Sequence, residues 1–226
     1  MVNFLKTTKN DVNLFMVAVT ITIMVFLGIY AKYAGAETEA LSVTVETVSI
    51  FSVDTNNFSG SLTPGTPNFA TSTISVLTNT AGGWYVELYG QDRATGNTTM
   101  DLSTDASVGL TDDTEWIPGA ATTTAGNAAL ITSGDDVLAF RAMSASGTPR
   151  FLSTAWWGTS DTKYAAGNLW AGFASTTATN KKIGQISSGD YNSGTALNTV
   201  QYYLDVSADQ KTGSYDGNLI YTLVTP

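Results

Sequence analysis

The chain of 226 residues carries 10 basic and 19 acidic side chains, a formal charge of −9, and contains neither cysteine nor histidine. A field of that sign repels nucleic acid and anionic lipid, so both are set aside as partners. Without thiols the fold must hold by packing and strand pairing, and without imidazole the chain lacks the commonest general base near neutral pH and the commonest metal ligand.

The first feature along the chain is the apolar run over residues 12–31. As a helix rising ~1.5 Å per residue it would extend ~30 Å, one hydrocarbon core. Lys6 and Lys9 precede it, which orients the N-terminus to the cytoplasm and predicts export of the residues beyond the run. Ala34, Gly35 and Ala36 form a small-residue cleavage site, so residues 1–36 read as a signal peptide. The run is also long enough for an uncleaved signal anchor, and in that case the membrane is met through residues 12–31 alone. Residues 37–226 are expected to form one exported domain, extracellular or in the cell envelope.

Leu41, Val43 and Val45 alternate with polar neighbours, and after a slip of phase Val48 and Ile50 continue, so a first strand is expected over 41–53. Pro64, Gly65 and Pro67 then mark a loop. Ile74 and Val76 share one face of a strand over 69–78. The turn-like stretch 79–83 leads into Trp84, Val86 and Leu88 at the same period, which reads as a hairpin. Periodicity weakens over 91–133 into polar text broken by short apolar pairs, Met100 with Leu102 and Val108 with Leu110. It recovers over 137–143 with Leu138, Phe140 and Ala142 on one face. The aromatic-rich insert 144–190 hints at one more strand through Leu169, Ala171 and Phe173, and is the expected functional loop region. Val200, Tyr202, Leu204 and Val206, answered by Leu219, Tyr221 and Leu223, predict two long antiparallel strands. The fold expected is all-β: a single antiparallel β-sandwich of Greek-key or jelly-roll type, preceded by one N-terminal hydrophobic helix.

The stretches 60–67 (GSLTPGTP), 70–79 (ATSTISVLTN) and 83–89 (GWYVELY) resemble an exported β domain of uncharacterised bacterial cell-envelope proteins. The closing 213–224 (GSYDGNLIYTLV) is similar to that domain's last strand and, more distantly, to the Trp-x-Leu (WxL) cell-wall surface domains. The second resemblance implies non-covalent attachment to peptidoglycan. The motif is altered in this chain, with valine at Val86 after Trp84 and tyrosine at Tyr221 before Leu223.

Two constellations bear on chemistry. Trp156 and Trp157 are adjacent, and on a strand they would face opposite ways; with Tyr164 and Trp170 they would form a stacking platform for a sugar ring, or else cover the end of the sandwich. Asp112, Asp113 and Glu115, and separately Asp135 with Asp136, offer oxygen ligands of the kind Ca2+ takes, or else form solvated acidic turns. No catalytic residue is singled out, because a hydrolase triad, a thiol and a phosphate-binding glycine motif are all missing.

The expected function is therefore a non-catalytic structural or adhesive surface protein, in contact with cell-wall glycan or neighbouring envelope proteins. One route to assembly is strand exchange into a homo-oligomer or fibre, with the strand after residue 37 pairing either with another copy or within its own sandwich. The alternatives are a carbohydrate- or peptidoglycan-binding module and, more weakly, a sandwich-fold glycosidase with two facing carboxylates.

Overall fold

Strict alternation of inward apolar and outward polar side chains builds most of the regular structure. A computed structural model describes residues 13, 15–24, 44–54, 58, 61–91, 98–121, 123–132, 134–144, 154–158, 167–186 and 196–226. They divide into two compact units, Met1–Val45 and Glu46–Pro226.

In the first unit residues 15–24 are helical, and the Thr20 and Thr22 hydroxyls donate to the carbonyls of Met16 and Ala18, each at 2.9 Å. Such bonds satisfy a hydroxyl on an otherwise apolar helix. Residue 13 apart, the remainder of the 12–31 run lies outside the described residues, as does the expected 36/37 boundary. Among the described residues no helix is long and apolar enough to cross a membrane.

The second unit is mostly β. Its strands are β1 (Ser49–Asp54), β2 (Asn68–Thr78), β3 (Trp84–Gly90), β4 (Asp101–Leu102), β5 (Asp105–Gly109), β6 (Leu138–Ser144), β7 (Lys182–Ile186), β8 (Ala196–Leu204), β9 (Tyr215–Asp216) and β10 (Leu219–Val224). They form three antiparallel sheets with the orders β1-β2-β8-β6, β10-β3-β7 and β5-β4-β9. Ile74 and Val76 of β2, Val86 and Leu88 of β3, Phe140 of β6 and Val200 of β8 all enter one core, so the first two sheets share it.

The expected hairpin between β2 and β3 is not formed. β2 pairs with β1 and β8, while β3 pairs with β10 and β7. The connection turns where Gly83 takes φ 81° and donates to the Thr80 carbonyl, and it carries the chain from one sheet to another. Both strands still turn their apolar faces to the same core, which is why their phase was readable and their pairing was not. The same holds at the C-terminal end, where β8 and β10 also belong to different sheets.

The first strand begins later than its alternation suggests. Residues 44–48 lie outside any strand, although the Val48 carbonyl still accepts from the Asn79 N–H, and 41–43 lie outside the described residues. The Asn79 side chain substitutes for a paired strand there: Oδ1 accepts from the Val48 N–H at 2.7 Å and Nδ2 donates to the Glu46 carbonyl at 2.9 Å. That clamp holds the entry to β1 in extended form.

The expected strand through Leu169, Ala171 and Phe173 is a run of single bridges. Ala171 bridges Phe140 of β6, and Ala174 bridges Tyr89 of β3. The segment changes partner every few residues and so links the edge strand β6 of one sheet to the central strand β3 of another, without a long ladder of its own.

Candidate functional site

The adjacent tryptophans lie on one helical turn, Thr154–Trp157, and not on a strand. Gly158 ends the turn at φ 78°, in the left-handed region where glycine is preferred, and a Cβ there would lie 2.0 Å from the Gly167 carbonyl oxygen. A helical turn does not send neighbouring side chains to opposite faces. Trp156 is 1% exposed, Trp157 0% and Trp170 2%.

Each indole N–H that this turn contributes meets a backbone carbonyl: Trp156 donates to Thr124 at 2.8 Å, and Trp157 to Ile183 at 2.9 Å. Trp116, which the sequence did not single out, donates to the Lys182 carbonyl at 2.7 Å and lies 4.3 Å from the Trp157 ring centre. Trp170 packs apart from them in a second small cluster with Ala139 and Tyr203, beneath the guanidinium of Arg141. These rings therefore offer no open face to a sugar, which corrects the stacking platform expected of Trp156, Trp157 and Trp170. Tyr164 lies outside the described residues.

The acidic candidates are used individually by the backbone. Asp112 Oδ2 accepts from the Thr99 N–H at 2.8 Å, Asp113 Oδ1 from Thr114 at 2.6 Å and Glu115 Oε1 from Ser175 at 2.7 Å. Asp135 accepts from both the N–H and the hydroxyl of Thr132, closing a turn next to Asp136 at φ 51°. Among the described residues no three acidic side chains converge as a metal site. The carboxylates accept from three different backbone donors, one of them the next residue in the chain.

A site that sequence reading missed lies between the β1-β2-β8 side of the first sheet and the β9-β10 segment. It is a hollow of about 730 Å3, walled by Phe51, Phe58, Phe173 and Leu219. Ser72, Tyr202 and Tyr221 bring three hydroxyls to its lining. The Tyr202 hydroxyl donates to Ser72 Oγ at 2.9 Å and shares a further hydrogen bond with the Tyr221 hydroxyl. A second hollow of about 550 Å3 adjoins it and shares Phe58, Met100 and Tyr215 with it. A signal was present in the sequence: Ser72, Tyr202 and Tyr221 each occupy an inward phase of an otherwise apolar alternation.

Burial pushes the Tyr202 phenol above its ordinary value of 10.0. Tyr221 is driven well above it, by burial first and then by the Tyr202 phenol beside it. Both stay protonated in the folded protein where an unfolded chain begins to ionise, so the folded state binds more protons above pH 10. Their contribution is fully present below the unfolded value and is lost as pH rises past it. Melting temperature should hold steady from pH 7 to about 9 and fall beyond about 10. The double variant Tyr202→Phe/Tyr221→Phe should show a shallower alkaline fall, and an identical slope would contradict the assignment.

Scanned against protein-family models and against curated proteins, the chain matches none.

Proposed function

We propose that Glu46–Pro226 is a β-sandwich, with β1-β2-β8-β6 facing β10-β3-β7, and that it serves as a non-catalytic surface component of a cell envelope, delivered by the apolar N-terminal stretch. The observation that carries this reading is the outer edge of β1. That strand ends its sheet's order, and among the described residues nothing pairs with its far side. Val48 pairs with Asn79 through the backbone, so by the alternation of an antiparallel ladder the N–H and C=O groups of Ser49, Phe51 and Val53 point away from β2.

β1 contains no Lys or Pro to guard its edge, and Ile50 is 57% exposed beside Val48 at 50%. An unguarded strand with an apolar outer face is a template for another strand. The pairing of β1 with β2 does not compete with this, because it uses the opposite edge. The tryptophans that would have supported glycan stacking are buried in the fold. Self-assembly is therefore favoured over glycan stacking.

Negative-stain electron microscopy of the full chain tests the reading. Paired particles joined along β1 are expected, or strings where a second strand edge takes part, and isolated particles at every concentration would remove strand addition. A glycan array run alongside should show no retention dependent on Trp156 or Trp157.

A further inference from the structure

We propose that the hollow beside Tyr202 and Tyr221 binds a neutral molecule with a flat apolar body and one hydroxyl or carbonyl group at its end. Protein interiors are packed about as densely as organic crystals, and the voids they keep seldom exceed a water molecule. A hollow of about 730 Å3 is of the size that small-molecule sites have, in the range of roughly 300–1,000 Å3. Its walls suit a flat body, because the half-buried Phe51 and Phe58 line it from two separate parts of the chain.

The polar end of the ligand is set by counting protons. Tyr202 gives its proton to Ser72 Oγ, so the hydrogen bond between the two phenols is donated by Tyr221. Ser72 in turn hydrogen-bonds the Tyr221 phenol, so these three hydroxyls satisfy one another. The lining hydroxyl left over is that of Thr99, a side chain only 2% exposed whose Oγ1 has no hydrogen-bond partner. A single free hydroxyl serves a single acceptor, either a carbonyl or a hydroxyl oxygen. Charge argues the same way. Of the residues lining the hollow only Asp216 is charged; it is exposed and already accepts from the Ser103 hydroxyl at 2.8 Å. An anion entering among the phenyl rings would lose its hydration and find no cation. The site is separate from the outer edge of β1, and the proposal stands whether or not the chain assembles.

Calorimetric titration of the full chain with 2-naphthol, with naphthalene-2-sulfonate as its anionic counterpart, tests this. Saturable one-to-one binding of 2-naphthol is expected, with the sulfonate at least about tenfold weaker. Thr99→Val should weaken 2-naphthol about tenfold, the equivalent of one hydrogen bond, without changing the melting temperature by more than a few degrees. Leu219→Trp, which fills the hollow, should abolish binding. The apolar 12–31 run is common to every variant, so adsorption to it would appear as equal binding in all of them. That result, equal binding of the sulfonate, or displacement of 2-naphthol as the chain self-associates would each overturn the proposal.

Discussion

Trp157→Ala should lower the free energy of unfolding by about 3–5 kcal/mol, the range for truncating a large buried aromatic. The ring has no exposed surface, lies 4.3 Å from the Trp116 centroid and 5.1 Å from that of Phe140, and its N–H is held by the Ile183 carbonyl. Its own carbonyl accepts from Arg141 Nη2 at 2.9 Å, so the residue joins the helical turn to β6 as well as filling the core. A domain of this size has only about 5–15 kcal/mol in total, and the loss would leave the variant partly unfolded near 37 °C. Urea denaturation followed by circular dichroism gives the number. A cost under about 0.5 kcal/mol, usual for surface substitutions, would mean that the ring stands in solvent and that a stacking platform is again open.

Asp205→Ala should cost about 3 kcal/mol, because it removes a buried carboxylate that accepts from two backbone N–H groups. Asp205 is 2% exposed at the end of β8. Its Oδ2 accepts from the Gly134 N–H at 2.8 Å and its Oδ1 from Val206 at 3.0 Å, while its own N–H donates to the Val137 carbonyl. One carboxylate thereby pins the turn before β6 onto the strand that pairs with β6. Asp205→Asn keeps an acceptor oxygen and should lose about half as much. Hydrogen exchange should quicken at Gly134 and Val206 in the alanine variant. Unchanged exchange there, with stability within about 0.5 kcal/mol of wild type, would contradict this role.

Which residues point inward was legible from the period of two: Ile74, Val76, Val86, Leu88, Phe140, Val200 and Leu204 are all in the core. Lateral pairing was not legible, because period two describes the two faces of a strand and is silent about its neighbours in the sheet. A short turn after Thr78 suits a hairpin or a passage between two sheets equally well, and here the chain takes the passage. Short elements left still less trace. The KIGQI stretch of β7 is five residues long and is interrupted by glycine, and the helical turn of Trp156 and Trp157 is only four residues, too few to show a helical period. With that turn hidden, two adjacent tryptophans looked like opposite faces of a strand.

The hydroxyl-lined hollow was hidden for another reason. Ser72, Tyr202 and Tyr221 come from three strands in two sheets, and only the fold brings them together. Each by itself is an ordinary inward residue. The acids misled in the opposite sense, since closeness along extended chain did not bring Asp112, Asp113 and Glu115 to one point.

The claim that this domain works through an open strand edge is tested most directly by sedimentation velocity on the full chain and on Ile50→Lys, measured side by side over a wide range of concentration. Both proteins carry the same apolar N-terminal run, so any difference between them reports on β1. The wild-type chain is predicted to form concentration-dependent oligomers, and the lysine on the outer face of the strand to abolish them while leaving the melting temperature within a few degrees. Identical sedimentation of the two proteins, whether both monomeric or both associated, would contradict that claim.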